Sequence, residues 1–537
     1  MKNPLETAAA EIQEKTACKE IIEHVLSHRE DSIEINKLKM KICQKYRLSK
    51  VPSNSEILSH ASEQEKQYLL PLLRKKKTRT ISGIAIVAVM SKPAPCPGTC
   101  IYCPGGTIAP KSYSGHEPAA MRAIQNDFDP YSQVKSRLKQ LKAIGHRIDG
   151  GKIKLVIMGG TFLSLPQDYQ HYFVRRCLEA LTNTPANTLD EAKKNAEHSS
   201  IRNIGITFET RPDYCREKHV DSMLYMGGTK VEIGVQTVYD DIYKLVSRGH
   251  TVEDVVEAFR IAKDSGLKIT AHLMPNIPGS DYHKDLEMFK TVFNDPRFKP
   301  DSLKIYPCLV LKDTPLYELY LKGEYTPYPL RDIIKLIAEV KCIIPKWIRI
   351  QRIQRDIPSR LIVAGVKNGN LRELVAEELR RKGKSCQCIR CREVGHRMRK
   401  KQSLLEESEI LLHIEKYHAS EGEEIFISYE NKERSILVGF LRLRRPSELA
   451  HRPEIRSCES MIVRELRVYG PLVPLHEKPK DAWQHRGYGK RLLAIAERIA
   501  KEEYEAKKLL VLSGLGVKEY YYKLGYKPDG VYVSKRL

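Results

Sequence analysis

The chain lacks any apolar run long enough to cross a membrane, and it lacks the pattern of a secretory leader. Its clearest apolar stretch, residues 81–90, is too short for a spanning helix, which needs about 20 residues. Residues 1–6 are followed by no apolar segment of the kind that directs secretion. We therefore expect a cytoplasmic protein that has no membrane partner.

Aromatic and acidic residues are also scarce. Aromatic residues make up 7% of the 537 residues, while 41% are hydrophobic and 29% charged, which is typical of a globular chain divided into several domains. Acidic residues number 67 against 91 lysines and arginines, so the formal net charge is +24. This excess predicts a polyanionic partner, with nucleic acid as the first choice; a basic solvated surface is the alternative.

Cysteines are present, but their number does not suit a disulfide framework. There are 13 of them, an odd number, and six fall in two short segments, which in a reducing compartment indicates metal sites. The first segment carries Cys96, Cys100 and Cys103 on one loop. Three thiolates on such a loop can hold three irons of a cubane cluster and leave the fourth iron open to a small molecule. The alternative is a zinc knuckle, for which His116 is the nearest fourth ligand.

The second cysteine segment contains Cys386, Cys388 and Cys391 with the spacing C-x-C-x2-C. Three soft ligands require a fourth in a tetrahedral zinc site, and we predict Cys308 for that position, with His396 as the local alternative. A zinc ion there would attach the linker to the preceding domain. A second iron–sulfur cluster and a flexible basic linker remain as other interpretations.

Hydrophobic periodicity divides the chain into four regions. Residues 1–80 have helical spacing, residues 81–369 alternate β-branched runs with amphipathic helices, residues 370–404 form the cysteine linker, and residues 405–537 begin with alternating strands. Helices are predicted in the first region at 5–29, 33–46 and 56–73, and in the second region near 121–144, 168–181, 252–264, 284–293 and 330–343. The predicted strands of the second region are 81–90, 153–158, 201–208, 230–235, 267–273, 302–306 and 347–351. Repeated strand–helix units specify a parallel sheet, so we predict an α/β fold with a partial or complete (β/α) barrel.

Unusual residues follow several of these strands, at the end where such barrels carry out chemistry. Gly159 and Gly160 end the second strand and allow close approach to the backbone. Glu209 ends the third strand and Gln236 the fourth. With the cysteine loop after the first strand, these residues predict an active site at one end of the barrel.

The last region combines antiparallel strands with a glycine-containing helix start. Strands are predicted at 424–429, 435–443 and 459–468, followed by Gln484-x-x-Gly487-x-Gly489 before a helix that runs to about residue 507. Free backbone N–H groups at a positive helix end suit a pyrophosphate. With a further strand at 509–513 and a helix at 518–525, the arrangement resembles the acetyl-CoA site of GNAT-type acetyltransferases.

The cysteine loop resembles that of radical S-adenosylmethionine (SAM) enzymes, and the chain as a whole resembles the catalytic subunit of Elongator in its stand-alone archaeal or bacterial form. The motifs that carry the second resemblance are Cys96-x3-Cys100-x2-Cys103, residues 113–118, 158–162, 209–213, 465–470 and 484–487, and the pair Tyr520 and Tyr521. Two features depart from the family pattern: Arg467 stands where histidine is expected, and the cluster spacing is compact. Neither departure removes a thiolate.

This resemblance implies a tRNA-modifying acyltransferase that installs a carboxymethyl-type group at C5 of the wobble uridine. It implies a 4Fe-4S cluster and SAM as the source of a 5'-deoxyadenosyl radical, acetyl-CoA as co-substrate, and zinc. The radical would take hydrogen from the methyl group of acetyl-CoA, the acetyl radical would add to C5, and the thioester would be hydrolysed. The implied partners are the tRNA anticodon stem-loop and either a second copy of the chain or Elongator-like subunits.

The resemblance also assigns residues. The cluster ligands are the three cysteines of the first segment, and the SAM contacts are Gly159, Gly160, Glu209 and Gln236. The acetyl-CoA contacts are Lys152, Glu465, Leu466, Arg467, Val468, Gln484, Gly487, Tyr488, Gly489, Lys490 and Tyr521, and the catalytic candidates are Tyr520 and Tyr521. Because Lys152 lies in the barrel region, acetyl-CoA would bridge two domains, as hydrogen abstraction from its methyl group requires.

Three basic groups are expected to bind tRNA phosphates. They are residues 74–79, the set Lys346, Arg349, Arg352, Arg355 and Arg360, and residues 397–401. The main rival hypothesis is a protein lysine acetyltransferase with Glu465 as general base and the iron–sulfur half as scaffold. A third hypothesis is an RNA-binding assembly module without catalysis.

Overall fold

The computed structural model describes residues 4–28, 34–48, 51–73, 83–105, 107–146, 148–395, 407–470 and 486–537. The basic runs 74–79 and 397–401, together with Gln484 and His396, lie outside these residues. Within them, no helix is both long and apolar enough to cross a bilayer.

The N-terminal region is helical, as predicted. Its helices are α1 (Pro4–Ser27), α2 (Ile35–Lys45), α3 (Asn54–Ser59) and α4 (Glu63–Leu73). The single helix predicted over 56–73 is two helices, because Ser53 and Glu56 form a capping box at α3 and Ser62 forms a second one with Glu65 before α4. Ile21, Ile57 and Leu69 are among the buried residues of their shared core.

Seven parallel strands form the sheet of the second region, which confirms the predicted α/β fold. The strands are β1 (Ile84–Met90), β2 (Lys152–Met158), β3 (Arg202–Thr210), β4 (Gly228–Gln236), β5 (Lys268–Leu273), β6 (Ser302–Ile305) and β8 (Arg349–Arg352), adjacent in that order. Among the described residues β1 and β8 do not pair with each other, so the sheet is a half-barrel. A short antiparallel pair, β7 (Val310–Leu311) and β9 (Ile362–Ala364), lies outside this sheet.

Helices connect these strands, and most of them pack against the sheet, while α10 and α13 pack beside the cysteine loop. They are α5 (Pro118–Gln125), α6 (Pro130–Ala143), α7 (Gln167–Thr182), α8 (Leu189–His198), α9 (Glu217–Tyr225), α10 (Asp240–Leu245), α11 (Val252–Asp264), α12 (Tyr282–Asn294), α13 (Pro315–Leu321) and α14 (Leu330–Ile343); α15 (Leu371–Arg381) and α16 (Ile389–Arg392) follow the last strand. The sequence suggested one helix near 121–144. It divides because Asp127 and Phe128 adopt positive φ and Pro130 begins α6 with Asp129 as its N-cap.

A second sheet forms the last region. Its strands are β10 (Ile410–Ala419), β11 (Gly422–Asn431), β12 (Leu437–Arg445), β13 (Ser460–Val468), β14 (Lys508–Val511), β15 (Lys527–Asp529) and β16 (Tyr532–Arg536), in the order β10-β11-β12-β13-β14-β16-β15. The β13–β14 pair is parallel, and the other pairs are antiparallel. The helices are α17 (Pro453–Arg456), α18 (Tyr488–Tyr504) and α19 (Lys518–Tyr522).

Buried ion pairs hold the second sheet against the N-terminal ends of the barrel strands. Arg464 of β13 lies 2.5 Å from Asp301, the residue before β6, and Arg444 of β12 lies 2.6 Å from Asp264 at the end of α11. All four side chains are 2% exposed or less. The backbones also approach closely, since a Cβ at Gly514 would lie 2.3 Å from the carbonyl carbon of Ile204. The two regions are therefore packed as one unit at this interface.

Candidate active site

One cavity of about 1660 Å³ runs along the inner face of the half-barrel. Every second residue of β2 lines the cavity, as the two-residue period of a strand requires. These residues are Lys152, Lys154, Val156 and Met158. At about 3.3 Å per residue, β2 covers roughly 20 Å of the cavity. The volume exceeds the roughly 300–1,000 Å³ of an ordinary small-molecule pocket, so the cavity has room for more than one ligand.

The predicted cluster ligands lie at the end of the cavity where the barrel strands terminate. Cys96, Cys100 and Cys103 all line it. Three sulfurs on one zinc ion lie about 3.8 Å apart, as tetrahedral Zn–S bonds of about 2.3 Å require. Among the described residues these three sulfurs do not form a group within 4.8 Å of one another, and His116 joins no such group. The three sulfurs are therefore not gathered as the ligands of one zinc ion, which disfavours the zinc knuckle, whereas a cubane takes each thiolate on a separate iron.

Arg248 supports this loop, and sequence reasoning missed it. Its guanidinium donates to Cys100 Sγ at 3.3 Å and to the carbonyl of Gly234 at 2.6 Å. Burial would raise the pKa of Cys100, but the charge and hydrogen bond of Arg248 outweigh it and lower that pKa below its usual value. A lone arginine in the loop after α10 carries no sequence pattern that could have identified it. The arrangement stabilises a thiolate, the form that binds iron.

The glycine pair at the end of β2 is required by packing. A Cβ at Gly160 would lie 2.7 Å from the carbonyl oxygen of Lys111, and one at Gly159 would lie 2.3 Å from Ser91 Oγ. Gly160 has φ 72° and lines the cavity beside the cysteine loop. The glycines therefore let this strand end, the loop and any ligand between them approach closely.

Glu209 and Gln236 face the same space from β3 and β4. Tyr113 donates a hydrogen bond to Glu209, whose carboxylate also lies 3.5 Å from Lys304 Nζ. Gln236 Oε1 is buried and has no hydrogen-bond partner among the described residues. Buried acceptors are nearly always satisfied, so this oxygen fits a donor group on a bound ligand, such as an amine or a ribose hydroxyl.

A second charged group, which the sequence did not predict, occupies the middle of the barrel interior. Glu232 accepts from Lys230 Nζ at 2.8 Å and from Lys304, and His272 Nε2 lies 3.3 Å from its carboxylate. Burial would raise the pKa of Glu232, but Lys230 and Lys304 outweigh it and hold that pKa well below its usual range. The signal available in the sequence was the charged pair at two-residue spacing, Lys230 and Glu232, within an otherwise apolar strand.

The opposite end of the cavity carries the predicted acetyl-CoA residues. Lys152 from the barrel and Glu465, Leu466, Arg467 and Val468 from β13 all line it, as does Tyr521. Burial and the neighbouring Arg202 lower the pKa of Lys152. Glu465 accepts a hydrogen bond from Arg442 at 3.2 Å. One cavity therefore joins residues of both regions.

The start of α18 lies next to the acetyl-CoA candidates of β13, although residues 487–490 do not themselves line the cavity. Gly487, with φ 85°, is its N-cap, and no side chain caps the helix. A Cβ at Gly489 would lie 3.1 Å from the hydroxyl of Tyr520, so Tyr520 lies over this helix end. Lys490 is exposed. The side chain of Tyr488 is buried against Tyr429, which leaves its backbone as the part that could contact a ligand.

The second cysteine group is compact, but Cys308 is not part of it. The sulfurs of Cys386, Cys388 and Cys391 lie within 4.8 Å of one another, as ligands of one metal centre must. Cys308 packs instead in a different cluster, with Cys100 and other residues at the cysteine-loop end. The prediction of Cys308 as fourth ligand is therefore wrong, because the turn after β6 carries this side chain toward the cluster loop.

The middle basic group predicted for tRNA is divided between the cavity wall and the surface, and Lys346 is half-buried. Arg349 pairs with Glu393 at 2.6 Å, and Arg355 donates to the carbonyl of Ser112. Arg352 pairs with Asp356 at 2.8 Å, and Arg360 is exposed. These residues do not form one exposed patch, because β8 and the loop after it line the cavity.

Comparisons with known proteins agree with this geometry. Residues 94–292 match the family model of the radical SAM superfamily, residues 300–381 that of the radical SAM C-terminal domain, and residues 14–81 that of the ELP3 N-terminal domain. The half-barrel and its cysteine loop thus define a radical SAM protein.

Relatives over nearly the full length refine this class. The chain is 52% identical over 493 residues to the tRNA uridine(34) acetyltransferase of Methanocaldococcus jannaschii, covering 90% of each, and 44% identical to Elongator complex protein 3 of Schizosaccharomyces pombe, covering 99% of this chain and 100% of the other. A solved structure of archaeal Methanocaldococcus infernus Elp3 with an N-terminal deletion is 47% identical, with a TM-score of 0.76 over 85% of this chain and 100% of that one. The chain belongs to the Elongator complex protein 3 family, as the sequence motifs indicated.

Proposed function

We propose that the protein modifies the wobble uridine of tRNA by adding a carboxymethyl-type group, derived from acetyl-CoA, to C5. The names of its relatives support tRNA uridine as the substrate. The observation that carries the acetyl-CoA part is the shared cavity, which is lined by Cys96, Cys100 and Cys103 at one end and by Lys152 and β13 at the other. Such a chamber is what transfer of a radical between two small molecules requires.

Family membership implies a 4Fe-4S cluster and SAM, and the residues present fit both. When bound, they would supply the 5'-deoxyadenosyl radical on which this class of enzyme depends. The three cysteines would hold the cluster, Arg248 would orient Cys100, and Glu209 and Gln236 would fix the polar end of SAM. The walls of the half-barrel would exclude water, which limits side reactions of a radical.

The other end of the cavity suits a coenzyme A thioester. Lys152 and Arg467 would face its anionic groups, while the uncapped N-terminus of α18 at Gly487 offers backbone N–H groups to a pyrophosphate. Tyr520 and Tyr521 remain candidates for positioning or hydrolysing the thioester.

The second cysteine group suits a structural zinc ion. Cys386, Cys388 and Cys391 would supply three of its four ligands.

The lysine acetyltransferase hypothesis is less well supported. Its proposed base, Glu465, accepts from Arg442 and is close to Arg467. Burial would raise the pKa of Glu465, but these arginines outweigh it and lower that pKa, which makes the carboxylate a weak base. The proposal also keeps Elongator-like subunits and tRNA as partners, as the names of the relatives suggest.

Anaerobic reconstitution tests the function directly. The protein is loaded with iron and sulfide, then given SAM, acetyl-CoA and bulk tRNA, and the nucleosides are analysed by mass spectrometry. We expect a modified uridine that requires both small molecules and disappears in Cys100→Ala, while the matched Cys458→Ala variant, altered outside the cavity, retains it. Carboxymethylation by folded Cys100→Ala protein would refute the proposal.

A further inference from the structure

His272 and Glu232 form a dyad on the wall of the cavity. His272 lies on β5 and Glu232 on the neighbouring strand β4, and the imidazole Nε2 lies 3.3 Å from Glu232 Oε2. Because the ionised carboxylate of Glu232 can only accept a hydrogen bond, Nε2 of His272 carries the proton and donates the hydrogen bond. Nδ1 of His272 therefore has a free lone pair, and the ring is held in one tautomer.

The dyad lies next to the expected SAM residues. Leu273, the next residue on β5, pairs in register with Gln236, and Lys304 links Glu232 to Glu209. The His272 side chain is 14% exposed and lines the cavity. It therefore faces the space between the cysteine loop and the acetyl-CoA end.

A metal ion does not explain this group. The ligand atoms of Glu209, Glu232 and His272 lie within 4.8 Å of one another, which is compatible with a cation. However, the ammonium of Lys304 already contacts both carboxylates and supplies the positive charge between them. A divalent ion beside it would be repelled, so the role of the dyad is to be found in the reaction itself.

The proposed reaction leaves a proton that must be removed. When the acetyl-derived CH2 radical bonds to uridine C5, that carbon keeps its hydrogen and the unpaired electron moves to C6. Loss of this electron to a one-electron acceptor, the class to which iron–sulfur clusters belong, leaves a cation at C6. The C5–H bond then breaks, its electron pair forms the new C5=C6 bond, and a base must take the proton.

We propose that His272 is this base, an inference that rests on the proposed function. Nδ1 accepts the C5 proton, and the ionised Glu232 stabilises the imidazolium through Nε2–H, as in other histidine–carboxylate dyads. Glu209 is less suited, because Tyr113 and Lys304 already occupy its carboxylate. The dyad thus restores the uracil ring after the carbon–carbon bond has formed.

The charges around the imidazole favour the neutral form that a base needs. Glu209 on β3, Glu232 on β4, and Lys304 and Tyr306 on and after β6 face it. Burial and Lys304 lower the pKa of His272 below its usual 6.5, and they outweigh the two carboxylates, which raise it. Product formation should therefore be independent of pH near neutrality and fall in acid as the imidazole becomes protonated.

The test uses acetyl-CoA deuterated at its methyl group and the reconstituted enzyme with tRNA. In His272→Gln, whose amide Nε2–H₂ can replace the imidazole Nε2 as donor toward Glu232, we expect deuterium to reach 5'-deoxyadenosine at nearly the wild-type rate, while modified uridine falls by about 10²–10⁴-fold, the usual contribution of a general base. Uridine deuterated at C5 should then slow the variant further, because proton loss limits it. His283→Gln, the same substitution at an exposed histidine of α12 outside the cavity, should leave both products unchanged.

Two results would overturn the inference. One is wild-type production of modified uridine by His272→Gln; the other is an equal loss of deuterium transfer and of product in that variant, which would mark a structural role. Failure of the proposed function looks different, because the wild-type enzyme itself would then transfer no deuterium. A readout without cofactors is the ¹⁵N spectrum of the imidazole in the unloaded protein, which must show the Nε2-protonated tautomer and change in Glu232→Gln.

Discussion

At the scale of single residues, the thiols of the cysteine loop differ in their surroundings. Cys100 receives a charged hydrogen bond from Arg248 at 3.3 Å, whereas Cys103 receives the backbone N–H of Ser112 at 3.1 Å. Burial raises the pKa of Cys103, while Arg248 lowers that of Cys100. The positive charge of Arg248 therefore has the larger influence on a bound cluster.

Replacing that arginine tests its influence. In Arg248→Gln, the bound cluster loses a positive neighbour, so its reduction potential should fall. A given electron donor then reduces a smaller fraction of the cluster, and SAM cleavage should slow by about tenfold or more, since a hydrogen bond to a charged group contributes about 1.5–3 kcal/mol. The potential is read from a redox titration followed by electron paramagnetic resonance. Arg331→Gln, at an exposed position in the first turn of α14, serves as the control. An unchanged potential in Arg248→Gln would contradict the expectation.

Residue types in the sequence predicted the cysteines and the polar strand ends, but not their supporting partners. Cys96, Cys100 and Cys103 carry their chemistry in their spacing, so they could be found without a structure. Arg248 and His272 have no such pattern, because each acts through a side chain that is distant in sequence. Cys308 was misassigned for the same reason: the direction of a turn after a strand is not encoded in residue type.

At the scale of elements, the strand ends combine conformational need with function. Gly160 has φ 72°, and a Cβ on it would lie 2.7 Å from the carbonyl oxygen of Lys111, whereas Gly150 has φ 69° with no atom within 4 Å of a Cβ. The two glycines therefore share a backbone conformation but differ in crowding. Comparing them separates the two reasons for which a position needs glycine: a left-handed backbone conformation and a lack of space for a Cβ.

Alanine at each of these positions should give different results. Gly150→Ala should cost about 1 kcal/mol, the penalty of a left-handed conformation alone. Gly160→Ala should cost about 1–3 kcal/mol more, because an overpacked site must also move. It should lower the iron content after reconstitution as well, since Lys111 lies beside the cysteine loop. Urea unfolding midpoints and iron analysis measure both effects, and equal behaviour of the two variants would show that crowding is unimportant.

Periodicity was a good guide to the elements with a clear apolar face. The helix at Leu330–Ile343 and the strands β2 to β6 lie within a few residues of their predicted positions. β10 was missed, because its first three residues are all apolar and most of the strand is partly or fully exposed at the edge of the second sheet, so that no clear buried face stands out. Capping boxes, not periodicity, divided the helix predicted over 56–73.

At the scale of the whole molecule, function depends on how the two sheets are held together. Arg444 and Asp264 are 180 positions apart in sequence, and Arg464 and Asp301 are 163 apart. Such pairings cannot be read from local patterns, which is why the sequence predicted both ligand sites but not the cavity that joins them. Resemblance to a family supplied that expectation instead.

The ion pair at Asp301 gives a test of this coupling. Burial would raise the pKa of Asp301, but Arg464 and Arg442 outweigh it and hold that pKa well below its usual value. The stabilising contribution is therefore fully present above the unfolded pKa of about 3.9 and is lost as pH falls toward the depressed folded value. Asp301→Asn should lower the free energy of unfolding by about 3–5 kcal/mol at pH 7, because it leaves buried arginines without their partner. The deficit should shrink in acid, where the wild-type carboxylate is also protonated.

Fluorescence of Trp347, whose carbonyl accepts from Arg442 at the same interface, reports the unfolding in urea. Asp241→Asn, which breaks the more exposed pair with Lys284, should cost less than about 1 kcal/mol. A deficit for Asp301→Asn that stays constant down to pH 3 would show that the carboxylate charge does not hold the two sheets together.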